Sequence, residues 1–238
     1  MNRLVECVPN FSEGYCTDDN ARGFILAVLR DELEEEPERA RTLATTYAAF
    51  LNHAFDPGTK RFHNFLSFDR RWLDDQGSED CHARALWALG LGVGRSPHRS
   101  FQIMAGQLFA LGLPALMDFT SPRAWAFGII GIQEYLHRLS GDSLVAQTRD
   151  ALTARLAVRA GFPAVYATGA GIANTLLAVP DVGLTTMTEL ADQVARICDA
   201  VEVPVVADID TGFGNALNAR RAVRAFERAG VAAVQIED

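Results

Sequence analysis

The chain has 238 residues, 49% of them apolar, and a net charge of −8. That length admits one or two domains with a substantial core. Lys60 is the only lysine and the arginines form no evident basic stripe, which argues against nucleic acid as a partner. No uninterrupted apolar run reaches the roughly 18 residues of a membrane span. The N-terminus lacks the apolar core of a signal peptide. Cys7, Cys16, Cys81 and Cys198 are scattered without a C-x-x-C pair, the pattern of reduced thiols in a cytoplasmic protein.

In chain order, the first half reads as helices. Thr17 or Asp18 caps a helix with Phe24, Ile25, Val28 and Leu29 on one face. Glu34-Glu35-Glu36 is a solvated helix end. Pro37 opens a second helix with Leu43, Tyr47, Phe50, Leu51 and Ala54 at helical spacing. Residues 55–80 are irregular and aromatic-rich. Helices are expected over Glu79–Leu91, capped at Glu79, and over His98–Leu111. Ser121-Pro122 starts another through Trp125, Ile129, Ile132 and Leu136, and Leu144–Ala160 is amphipathic. Short connections between such helices imply antiparallel hairpins. Trp72, Trp87 and Trp125 are expected in the core.

After Gly161 the rhythm changes to strand, helix, strand, helix, strand. Ala164–Thr168 is a short β-type run. Thr186-x-x-Glu189 is a capping box before Leu190, Val194, Ile197 and Val201. Val203–Ile209 is a second strand, Leu217, Val223 and Phe226 mark a helix ended by Gly230, and Val231–Ile236 is a third strand. This alternation implies parallel βαβ units.

Chemistry concentrates where the second strand ends. Asp208 and Asp210 are spaced i, i+2, so on a strand both carboxylates point one way. Two oxygen ligands at a strand end suit a hard cation such as Mg²⁺, which keeps several waters and a substrate oxygen. Gly169-Ala170-Gly171-Ile172-Ala173-Asn174 is a poor dinucleotide turn, because its third glycine position is Asn. His53, His63, His98 and His137 show no metal-ligand spacing, and no histidine follows His137. Asp18, Asp19 and Asn20 fit a helix N-terminus as well as a sugar site. Glu79, Asp80 and His82 could supply an acid/base carboxylate, though capping is the simpler role.

From about Asp150 onward the sequence resembles the isocitrate lyase / phosphoenolpyruvate mutase superfamily, near its methylisocitrate lyase and oxaloacetate decarboxylase branch. The resemblance rests on Asp150–Leu156, Tyr166–Gly171, Pro180–Gly183, Asp208–Asn215 and Gln235–Asp238. It implies part of a (β/α)₈ barrel whose site lies at the C-terminal ends of the strands. It also implies Mg²⁺ at Asp208, with Asp210 and Glu237 on metal-bound waters. Thr168, Gly169 and Ala170 would face a 2-oxo acid carboxylate or enolate, and Tyr166 and Asp181 would line the pocket. The implied chemistry is carbon–carbon cleavage in small 2-oxo or 2-hydroxy carboxylates. The family's acid/base cysteine loop follows the Ile-Glu-Asp strand and is not among these residues. The catalytic proton carrier is therefore unassigned, and weak or no turnover is expected.

Residues 14–156 resemble the α/α-toroid domain associated with bacterial glycosyltransferases, through Gly14–Arg22, Arg61–Trp72, Gly77–Asp80 and Phe119–Phe127. That resemblance implies a carbohydrate partner. Residues 1–14 resemble the opening of glutamate formiminotransferase. The resulting expectation is a mixed fold: a short segment 1–14, helical hairpins of a partial toroid over 15–150, and a truncated parallel β/α barrel over 151–238. Open sheet edges would allow self-association. Two alternatives to a lyase remain at this point, a carbohydrate-associated helical module and a mosaic chain without evolved activity.

Overall fold

The structure is a computed structural model that describes residues 14–237 and the backbone of two short strands before them. It is mostly helical with small sheets, and divides into units Met1–Leu139 and Ser140–Asp238. The division falls ahead of residue 150, so the helix beginning at Ser143 packs with the second unit.

In the first unit, β1 (Leu4–Val5) and β2 (Val8–Pro9) pair antiparallel, and β3 (Tyr15–Cys16) leads into α1 (Thr17–Glu32). The cap position of α1 is Cys16, without a side-chain cap bond. Thr17 and Asp18 therefore do not cap it, because the helix has already begun at Thr17. Asp18 and Asp19 lie in its first turn, where acids favour the positive helix end. Helix α2 (Pro37–Ala54) starts with proline at its first turn as expected. Its buried face is Ala40, Ala44, Ala48 and Leu51, with Leu43, Tyr47 and Phe50 only half-buried. Small residues at i, i+4 let α1 approach closely enough that Gly23 meets the Tyr47 ring.

The segment expected to be irregular contains β4 (Phe55–Asp56) paired with β5 (Arg61–Phe62), and β6 (Phe65–Leu66) paired with β3. Asp74 fixes the bend by accepting from the amides of Asn64 at 2.8 Å and Phe65 at 2.9 Å.

Helix α3 (Glu79–Arg95) is the core of this unit, buried on nearly every side from Cys81 to Gly94. Ser78 caps it, accepting from the Cys81 amide. Glu79 instead accepts from the Thr120 and Ser121 amides at 2.9 and 2.7 Å, so its capping role is across the fold rather than on its own helix. Helix α4 (Arg99–Gly112) continues into a 3-10 turn, and α5 (Pro122–Arg138) is capped by Ser121. Arg99–Asp118 is long and apolar enough to cross a membrane by length and composition. It buries Phe101, Ala105, Phe109, Leu113 and Leu116 in the unit's core. Trp125 is buried, whereas Trp72 and Trp87 are half-buried and stack on His63 and Phe127. The helices form packed neighbours as expected, but a toroid is not shown.

His82 is fully buried in α3. Its Nδ1 accepts from the Phe62 amide, so Nε2 carries the proton and donates to Gly112 O at 2.9 Å. Burial holds its pKa down to about 3. The unfolded chain binds this proton below about pH 6.5, while the folded chain refuses it until near pH 3. The stability from neutral His82 is therefore present above the unfolded value and lost as pH falls through that window. At pH 5, ¹⁵N NMR is expected to show His82 as the neutral Nε2–H tautomer; an imidazolium there would refute this arrangement.

The second unit opens with α6 (Ser143–Arg159), capped by Asp142. Next come β7 (Val165–Ala167) and α7 (Gly169–Ile172), which runs into a single π-type turn at Ala173–Leu177. Sequence reading did not anticipate that helical stretch. Helix α8 (Met187–Ala200) carries the expected capping box, with Thr186 and Glu189 bonding reciprocally. Strand β8 (Val205–Asp208), α9 (Ala216–Arg228) and β9 (Ala233–Gln235) complete a parallel sheet in the order β7-β8-β9. Its core joins Leu190, Val194 and Ile197 to Val205, Ala207, Ile209 and Phe226. This βα arrangement is compatible with part of a parallel barrel. On α9, Arg220, Arg221, Arg224 and Arg228 line one shallow cavity, a local basic stripe that the sequence reading overlooked.

Candidate active site at the C-terminal edge of the parallel sheet

Strand β8 delivers Asp208 half-buried at its last position. Buried Ile209 then anchors the turn, its amide donating to Gln235 O at 3.0 Å. Asp210 has φ +46°, so the strand alternation does not reach it. The i, i+2 strand argument therefore does not hold at Asp210: a left-handed turn, not a strand, brings it back beside Asp208. Its amide donates to Asp208 Oδ1 at 3.1 Å, and its carbonyl accepts from the Glu237 amide at 2.8 Å.

Both carboxylates border Gly169 at the start of α7. A Cβ there would lie 2.8 Å from Asp210 Oδ1 and 3.6 Å from the Asp208 carboxyl carbon. The Gly169 amide points to Asp208 Oδ2 at 3.4 Å. Thr168 caps α7, accepting from the Gly171 amide at 3.4 Å, with Ala170 between them. Thr168, Gly169 and Ala170 thus form the first turn of α7, and Gly169 is the residue that meets the two acids.

Tyr166 is about half exposed, and its hydroxyl donates to Gln235 Oε1 at 2.9 Å. Burial raises the Tyr166 pKa, with the Asp208 and Glu237 charges adding to the shift. Burial likewise raises the Asp210 pKa, and the charges of Asp181, Asp208 and Glu237 push it further. Among the described residues no ion pair neutralises any of these four acids.

The structure brings Asp208 and Asp210 together but leaves Glu237 at their margin. Glu237 is exposed beyond β9, where its carboxylate accepts from Gln235 Nε2 at 3.4 Å. No group of three or more His, Cys, Asp or Glu side chains is set to hold a metal among the described residues. A two-carboxylate corner still fits Mg²⁺, which is held by one or two carboxylates while keeping water and substrate ligands. Asp181 is exposed in the loop before α8, near enough for its charge to act on Asp210. Gln235, part of the Gln235–Asp238 motif, was given no role from sequence, although its polar side chain two residues before Glu237 was a signal. Cys198 packs beside Gly230, before β9 begins, and so lies away from this edge.

In the helical unit, the acids weighed for a sugar site are engaged elsewhere. Asp18 pairs with Arg22 and Arg84, Asp19 with Arg22, and Asp80 with Arg123.

Residues 132–238 match the family model described as phosphoenolpyruvate phosphomutase. The 2,3-dimethylmalate lyase of Eubacterium barkeri is 55% identical over 89 residues, 37% of this chain and 31% of that protein. The 2-methylisocitrate lyase of Aeropyrum pernix is 55% identical over 85 residues, 36% of this chain and 27% of that protein. The oxaloacetate decarboxylase of Rhodopseudomonas palustris is 45% identical over 102 residues, 42% of this chain and 35% of that protein. The chain thus spans about a third of the length of these curated relatives. The glycosyltransferase-associated and formiminotransferase likenesses find no support in the comparisons, and of residues 1–13 only the backbone of β1 and β2 is described. For residues 132–238, likeness to the phosphoenolpyruvate mutase / isocitrate lyase superfamily is supported by the family model and the curated relatives alike.

Proposed function

We propose that the second unit carries the metal-binding corner of a carbon–carbon lyase for small 2-oxo or 2-hydroxy carboxylates. The observation that carries this reading is the pairing of Asp208 and Asp210 around Gly169, with no Lys, Arg or His among the described residues in an ion pair with either. Asp208 and Asp210 would hold Mg²⁺, with Glu237 on its water shell; when bound, the ion supplies a Lewis acid for an oxygen that gains charge. The residues themselves bind and orient. The Thr168 hydroxyl and the Ala170 amide offer hydrogen bonds to a carboxylate, and Gly169 lets it approach because no Cβ intervenes. Tyr166 and Asp181 would close the sides of the site. The proton carrier is not assigned, since the described part of this edge presents no thiol and Cys198 lies elsewhere. The relatives' names support a small carboxylate substrate, and a cytoplasmic setting accompanies that reading. A carbohydrate partner for the helical unit has no comparable observation behind it.

Calorimetric titration tests the assignment. The wild-type chain is expected to bind Mg²⁺ and to bind oxalate more tightly when Mg²⁺ is present. Asp208→Asn should weaken Mg²⁺ by ~10–100-fold. Equal Mg²⁺ affinity in Asp208→Asn and wild type would sink the proposal.

A further inference from the structure

The turn that carries Asp210 is held in a backbone form that its own residues do not favour. From Asp210 to Gly214, φ is positive at Asp210 (+46°), Gly212 (+82°), Phe213 (+62°) and Gly214 (+137°). Glycine adopts such angles freely and aspartate tolerates them, but for a bulky residue such as Phe213 they are rare and costly. Conformations of this kind persist only where the surroundings over-determine them.

Upstream, the holding element is β8. Ile209 is fully buried, and its carbonyl accepts from the Gly212 amide at 2.9 Å, closing the turn around Asp210 and Thr211. Downstream it is α9. Phe213 is half-buried against the second unit's core, its ring stacked on fully buried Phe226 with centroids 6.4 Å apart and planes 8° apart. Asn218 Nδ2 donates to the Phe213 carbonyl at 3.1 Å. Asn215 fixes the start of α9 beneath them, accepting from the Leu217 and Asn218 amides. A Cβ at Gly212 would stand 2.8 Å from Ala219 Cβ, so the turn lies directly on the first turn of α9. These contacts reach Asp210 through the backbone alone. Relaxing its φ to the right-handed value would rotate the chain there by roughly 110°. That rotation would break the Asp210 amide bond to Asp208 Oδ1 and the Glu237 amide bond to Asp210 O.

We propose that Phe213 and Asn218 are positioning residues for the Asp208–Asp210 pair: the ring seated on Phe226 and the carboxamide on the Phe213 carbonyl hold the left-handed turn that keeps the Asp210 carboxylate at Gly169. This deepens the metal reading and rests on it, since the pair is what the ion would meet. Neither side chain touches the ion or the substrate in this role; both act through Asp210.

The test is calorimetric Mg²⁺ titration of the full chain and its variants, with amide hydrogen exchange read on the same proteins without metal. Phe213→Ala should weaken Mg²⁺ about tenfold or more. It should speed exchange of the Asp210 and Glu237 amides about tenfold, while protection of β8 changes less than about threefold. Phe213→Leu keeps an apolar side chain on Phe226 and should bind within about threefold of wild type. Asn218 is exposed, so Asn218→Ala leaves the fold intact and should weaken Mg²⁺ about threefold or more, the loss of one hydrogen bond. Leu217→Ala removes a side chain 75% exposed on the same turn of α9 and should change binding less than about twofold. Wild type that binds no Mg²⁺ would overturn the metal reading and this inference with it. Wild type that binds while Phe213→Ala binds equally well overturns this inference alone. So does Asn218→Ala behaving like Leu217→Ala, or Phe213→Leu binding as weakly as Phe213→Ala. Loss of β8 protection in step with the loss of Mg²⁺ would make Phe213 a packing residue only, and overturn it too.

Discussion

Gly90→Ala is expected to destabilise the helical unit by about 3 kcal/mol, despite placing a better helix former inside α3. The added methyl would stand 2.0 Å from Gly131 O of α5, and the same crossing brings a Cβ at Gly94 to 2.1 Å from Glu134 O. Both obstacles are backbone, so no rotamer change relieves them; α3 and α5 must separate. Alanine's helix propensity recovers only about 1 kcal/mol, too little to compensate. Gly106→Ala in α4 is the control. Its methyl meets only Val93 Cγ2 at 3.7 Å, so the propensity gain should dominate and stability should hold or rise. The three tryptophans, Trp72, Trp87 and Trp125, all belong to the first unit. Urea denaturation followed by tryptophan fluorescence therefore reports this unit directly. Equal destabilisation by the two substitutions would refute the close-crossing account.

The same glycines explain part of what the sequence could not disclose. Locally, Gly90, Gly92 and Gly94 weaken a helix, so α3 was expected to end at Leu91, yet it runs to Arg95. The reason is non-local: Gly90 and Gly94 admit the α5 backbone, and Gly92 admits the Phe24 ring of α1. Signals confined to one turn of chain were legible. Pro37, Ser121-Pro122 and the Thr186–Glu189 box all sit where their chemistry places them. Glu79 was misplaced as a cap because its partners, the Thr120 and Ser121 amides, lie some forty residues away. Helix α7 was missed because its glycines mask it, although Thr168 followed three residues later by Gly171 was a usable capping signal. At the candidate site the motif named the acids, but not the left-handed turn at Asp210 that joins them.

Gly169→Ala tests that joining most directly. Gly169 is buried and does not have a positive φ, so its backbone accepts alanine without strain. The new methyl would instead collide with Asp210 Oδ1 at 2.8 Å. That obstacle is the end of a side chain, which can rotate away from Asp208 and from the charges that now crowd it. The fold should therefore change by less than about 0.5 kcal/mol, while Mg²⁺ binding falls about tenfold or more as the two carboxylates part. The pH response supplies a second readout. Asp210 is held above its ordinary carboxylate value, so the folded state retains its proton more readily than the unfolded chain. Its stability contribution is fully present below the unfolded pKa and is lost as pH rises through the higher folded value. Releasing the side chain to water should shrink that dependence, whereas saturating Mg²⁺ should suppress it in wild type by favouring the ionised form. Hydrogen exchange of Val205–Asp208 as a function of pH reads the stability of this strand, and calorimetry reads the metal. A large loss of strand protection with unchanged Mg²⁺ affinity would show that Gly169 serves packing and not the carboxylate pair.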